Sequence, residues 1–141
     1  RLPKPILAES VFKEENIIPF TWDSPDNWIS TDKSSMRTAS YLIPSSKGSA
    51  DLSVTHFPGD AGGITANVNR WRKQLNLNSE TLEEIQAKAV KGMCSLGEYT
   101  IYKLINSKNT KSAFLCMILP LDNSTIFVKL IPAETLWFIS L

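Results

Sequence analysis

The chain has 141 residues, 43% of them apolar and 21% charged, with a net charge of +1, the composition of one globular domain that buries roughly two-thirds of the surface its unfolded chain exposes. Scattered basic residues and near-neutral charge argue against the basic face that nucleic acid or an anionic membrane surface demands, and no apolar run approaches the ~20 residues of a helical membrane span. One histidine and two cysteines are too few for a metal-ligand set, so neither a metal nor any other cofactor is expected.

The chain opens on Arg1 with Pro3 and Pro5 close behind, which reads as a start left by processing or truncation, with any signal peptide or lipid-attachment cysteine lying upstream. Residues 1–15 are expected to be a flexible lead-in and 16–141 the domain. Residues 16–22 (NIIPFTW) are apolar, β-branched and aromatic with Pro19 among them, and predict an edge strand or one broken by a bulge. A turn by composition follows at 23–27, after which Trp28 anchors the chain to the core. Residues 36–44 and 50–57 both alternate in polarity. In the first, Ala39, Tyr41 and Ile43 belong to the more apolar set; in the second, Leu52, Val54 and His56 share a face. The short Gly-containing connection makes the two an antiparallel hairpin.

Then comes the most sharply punctuated stretch, FPGDAGGITANVNRWRKQL at 57–75. Pro58 and Gly59 end the strand, Gly62 and Gly63 turn the backbone, and Ile64, Val68, Trp71 and Leu75 recur on one face of a helix, with Asn67, Asn69, Arg70 and Arg72 at the other positions. After a break at 76–78, Thr81 and Glu84 have capping-box spacing at the head of a second, short helix. Strands are expected at 97–106, 111–119 and 124–131, joined by short connectors into a meander, with 111–119 central because it is apolar on both faces. Residues 132–141 begin like a helix at Pro132 but end abruptly in WFISL, as though residues were missing between Leu136 and Trp137.

No catalytic constellation stands out. Gly59, Asp60, Gly62 and Gly63 precede a helix N-terminus, which presents free N–H groups to an anion, and with Asn67 and Arg70 they are the candidate ligand-binding residues. The favoured alternative is a structural turn with Asp60 or Thr65 as a local cap, because neither a P-loop nor a dinucleotide fingerprint is present. His56 with Asp60 is the candidate pair for a hydrolase-type enzyme, though no nucleophile can be assigned. Trp22, Trp28, Tyr41 and Trp137 could line a ligand groove, but in a domain of this size aromatics are expected mostly in the core. Cys94 and Cys116 are expected to be two buried free thiols, with a disulfide as the alternative.

The motifs FTWDSPDNW (20–28), MRTASY (36–41), ADLSV (50–54), FPGDAGG (57–63) and ANVNRWR (66–72) together resemble a family of small bacterial proteins, many of them similar to exported lipoproteins. The order of elements is also similar to the PsbP-like fold of photosystem II extrinsic subunits, an antiparallel sheet between helices. The resemblance implies a periplasmic or cell-envelope location, with membrane tethering only through an N-terminal lipid anchor upstream. The fold expected is a single α/β (α+β) domain, a mostly antiparallel sheet of about six strands with helices on both faces. The function expected is that of a monomeric, non-catalytic accessory or binding protein for a protein partner or small ligand.

Overall fold

Two runs of alternating polarity pair with each other and nucleate half of the sheet. The structure, a computed structural model, describes residues 20–32, 36–46, 48–108 and 113–133. In the first half, β1 (Ile29–Ser30), β2 (Ala39–Ile43) and β3 (Ala50–Pro58) form an antiparallel meander in which Ala39 lies opposite Val54 and Tyr41 opposite Leu52. In the second, β4 (Val90–Cys94), β5 (Gly97–Ile105), β6 (Ala113–Pro120) and β7 (Ser124–Ile131) form another. Antiparallel pairing of β3 with β7, Val54 opposite Val128, fuses them into one seven-stranded sheet of order β1-β2-β3-β7-β6-β5-β4. This is an α+β domain. The apolar strand expected at the centre is β6, an interior strand between β7 and β5.

The helices α1 (Ile64–Gln74) and α2 (Leu82–Lys88) connect β3, in the interior of the sheet, to β4 at its far edge. Val68 and Trp71 of α1, Leu75 at its C-cap and Ile85 of α2 pack on Phe114, Cys116, Ile118 and Phe127 of the sheet, Trp71 meeting Phe127 edge to face at 5.9 Å. The helical stripe read from the spacing is thus the buried one, with Ile64 at its partly buried start. The capping box is formed as its spacing requires: Glu84 N–H donates to Thr81 Oγ1 at 3.2 Å, and Thr81 N–H to Glu84 Oε1 at 2.9 Å. Two residues assigned to the helix's polar side instead grip the linker to α2. Asn69 donates to Glu80 O and accepts from Glu80 N–H, and Arg72 donates to Asn78 O at 2.6 Å and pairs with Glu80.

Two expectations need correcting, and a third reaches outside the described residues. Residues 20–22 are not in a strand: the core takes the Phe20 ring, 8% exposed, onto the face of the sheet, so this stretch packs across strands instead of pairing along an edge; the rest of that predicted strand, 16–19, lies outside the described residues. Two edge strands, β1 and β4, are additional. The first has only two residues, and the second (VKGMC) carries Lys91 and Gly92 where a strand signal would need alternation. Finally, both described helices pack in the same cluster on one face. The expected closing helix, 132–141, lies outside the described residues from 134 onward, as does the lead-in 1–15.

Candidate ligand-binding groove

The glycine-rich loop is held together by its own hydrogen bonds. Backbone φ is positive at Gly59 (63°), Ala61 (54°), Gly62 (94°) and Gly63 (87°), a run only glycine and a few tolerant residues sustain. Gly59 N–H donates to Asn123 O at 2.9 Å, and Thr125 Oγ1 donates to Gly59 O at 2.7 Å, tying the loop to the β6–β7 turn and the start of β7. Asp60 accepts from Gly62 N–H through its carboxylate (3.1 Å) and from Gly63 N–H through its carbonyl (3.0 Å). Asn67, 2% exposed, turns its amide back into the loop and donates to Ala61 O at 2.9 Å and Gly63 O at 2.7 Å. It is a buried brace, off the polar side of the helix where its position in the sequence put it.

Of the predicted site residues, Asp60, Gly63 and Asn67 border one hollow of about 360 Å³ at the α1 N-terminus. Gly59 and Gly62 are exposed turn positions, and Arg70, exposed one turn along α1, borders a neighbouring hollow with Phe57 and Ala61. The Asp60 carboxylate on the first hollow opposes an anion. His56 lies on β3 with its ring edge-on to Phe20 at 5.3 Å, and its Nε2 is buried without a hydrogen-bond partner. The Asp60 carboxylate bonds Gly62 N–H.

A second feature is on the face opposite the two helices. Alternation places Leu52 and Val54 of β3, Ile126 and Val128 of β7, and Met117 and Leu119 of β6 side by side on that face, and they floor a half-enclosed groove of about 330 Å³. Its wall is aromatic. Phe20 and Trp22 pack at a tilt with centroids 5.6 Å apart, Trp28 and Tyr41 likewise at 5.4 Å, and Trp22 Nε1 donates to the Tyr41 hydroxyl at 2.9 Å, locking the pairs into one surface. The turn between β4 and β5, with Cys94, Ser95 and Leu96, forms the opposite rim. Beside that turn Tyr99 stands over Gly92, the residue facing it on β4, where any Cβ would meet its ring; this cross-strand cover orients the tyrosine toward the groove.

Comparison with known proteins finds no family model, curated protein or solved structure that matches the chain. The groove therefore has to be read from its own chemistry. Trp22 is 37% exposed, so part of the aromatic set that sequence reasoning assigned mostly to the core is surface, and Trp22, Trp28 and Tyr41 do line one groove. Trp137 lies outside the described residues. Sequence reasoning missed Phe20, Tyr99 and the groove floor as site residues. The signal for the floor was present in the apolar positions of three strands, but only the strand order shows that those faces adjoin.

The cysteines lie on different faces. Cys94 is exposed at the groove rim, Cys116 is buried under α1 and α2, and both are free. The expectation of two buried thiols holds for Cys116 alone. Burial pushes the Cys116 thiol up to about 12, against a small opposing pull from the Lys129 ammonium, so it is inert. Among the described residues no group of three or more His, Cys, Asp and Glu could hold a metal ion.

Proposed function

We propose that this domain is a non-catalytic binding protein that holds a small, largely apolar ligand in the groove between the aromatic segment 20–28 and the β4–β5 turn. The observation that carries this reading is the groove's lining: six aliphatic or thioether side chains for a floor and aromatic rings for walls, in a volume at the small end of the roughly 300–1,000 Å³ of ligand pockets. A surface of this kind loses stability in water unless something covers it. The glycine-rich loop is a weaker alternative site, because its polar groups are engaged with one another. The PsbP-like arrangement and a location in the periplasm or cell envelope belong to the same reading. They are supported by the motifs at 20–28, 57–63 and 66–72, and a gene whose start encodes neither a signal sequence nor a lipid-attachment cysteine would remove the location.

The test uses N-phenyl-1-naphthylamine, a neutral apolar dye whose fluorescence rises on leaving water. Saturable uptake by the wild-type protein is expected, with loss of uptake in Val128→Phe, which fills the middle of the floor. Equal uptake by both proteins at equal melting temperatures, or none by the wild type, would sink the groove as the site. Inorganic phosphate should leave the melting temperature unchanged; a rise would move the site to the glycine-rich loop.

A further inference from the structure

The groove's charge is as informative as its apolarity. Among the described residues that line it, Asp23, next to Trp22, is the one charged side chain, and none is a lysine, arginine or histidine. Aromatic faces are regions of negative potential, strongest for tryptophan, and they attract a cation within about 6 Å of the ring. Two tryptophans, a tyrosine and a phenylalanine on one wall, with a carboxylate at their edge, make a surface that repels anions and favours positive charge. An ordinary ammonium is strongly hydrated and would lose its water here with few acceptors to replace it. A quaternary ammonium carries its charge on methyl groups, so it can lie on the rings and on the apolar floor at once.

The geometry points to a small soluble molecule bearing a trimethylammonium group as the ligand, its methyls against Trp22, Trp28 and Tyr41 and its charge facing Asp23. This rests on the groove being the ligand site, and it adds the ligand's charge and shape. Trp22 Nε1 already donates to the Tyr41 hydroxyl, so the two rings are held before a ligand arrives, which lowers the entropy lost on binding. The volume of about 330 Å³ fits a headgroup with a short chain.

Calorimetric titration with choline, tetramethylammonium and 3,3-dimethylbutan-1-ol, the neutral isostere of choline, separates charge from shape. Choline is expected to bind at least tenfold more tightly than the isostere. Trp22→Leu, at a partly exposed position, should abolish that preference while leaving the melting temperature within a few degrees, and Asp23→Asn should weaken choline binding several-fold without affecting the alcohol. Equal affinity for choline and the alcohol would overturn the cation assignment and leave the apolar-groove reading standing. Failure of both together with failure of the neutral dye would overturn both. Preference for choline that survives Trp22→Leu would remove the rings from the explanation. Sedimentation with phosphatidylcholine vesicles above that with phosphatidylglycerol vesicles would make the source a lipid headgroup and overturn the soluble ligand.

Discussion

Asn67 tests whether the glycine-rich loop is held from within. Its amide donates two hydrogen bonds, to Ala61 O and Gly63 O, from a side chain that is 2% exposed. Each is worth about 0.5–1.5 kcal/mol net, and removal also leaves the Ala61 carbonyl without its donor, while Gly63 O keeps the Asn67 backbone N–H at 3.3 Å. Asn67→Ala is therefore expected to cost about 2–3 kcal/mol, which at a urea m-value of about 1–3 kcal/mol/M lowers the midpoint of unfolding, followed by far-ultraviolet circular dichroism, by about 0.7–3 M. Asn67→Asp supplies the sign. A carboxylate facing two carbonyl oxygens is repelled, so the introduced acid has a folded pKa above its unfolded value of about 3.9. Its deficit relative to wild type should then be least below about pH 4, where the protonated acid donates to one carbonyl, and should grow as pH rises through the folded pKa. An Asn67→Ala stability within about 0.5 kcal/mol of wild type, or an Asn67→Asp deficit independent of pH, would refute the bracing role.

Two further outcomes follow from the helix-side core. Trp71→Ala should cost about 3–5 kcal/mol in the same urea assay, because the ring is 4% exposed and packs edge-on to Phe127; a loss below about 1 kcal/mol would mean that α1 does not seal the sheet. For the thiols, Ellman's reagent should find one reactive group in the native protein, Cys94, and two in denaturant. Because the Cys116 thiol titrates near 9 when unfolded and about 12 when folded, its stabilising contribution is complete below pH 9 and is lost as pH rises toward 12, with a slope of at most about 1.4 kcal/mol per pH unit. Cys116→Val should show a shallower alkaline decline, and equal slopes in both proteins would contradict the assignment.

What the sequence revealed was local. The helix stripe, the capping box, the β2–β3 hairpin and the β5–β6–β7 meander are each written within a few residues of themselves, by periodicity or by a turn. The brace at Asn67 escaped because helical spacing places it away from the Ile64–Val68–Trp71–Leu75 stripe, and only the positive-φ loop curling back over it accounts for its burial. β4 escaped because an exposed edge strand has no need of an apolar face. The groove is legible only in fragments: its rings come from positions 20, 22, 28, 41 and 99, and nothing but the pairing of β3 with β7 gathers their strands into one sheet.

That pairing has a consequence for synthesis. The strand at the middle of the sheet, β7, is the last strand among the described residues to leave the ribosome, and it joins to β3, whose Asp51 lies opposite Ile131. Until it arrives, the nascent chain consists of two separate antiparallel sheets, each with an unsatisfied inner edge, and the seam between them carries the largest sequence separation in the fold. A ribosome that stalls before Ser124 would release two sticky half-sheets. Folding of the finished chain is accordingly set by closure of a long loop rather than by either hairpin, and chaperone contact belongs to that interval.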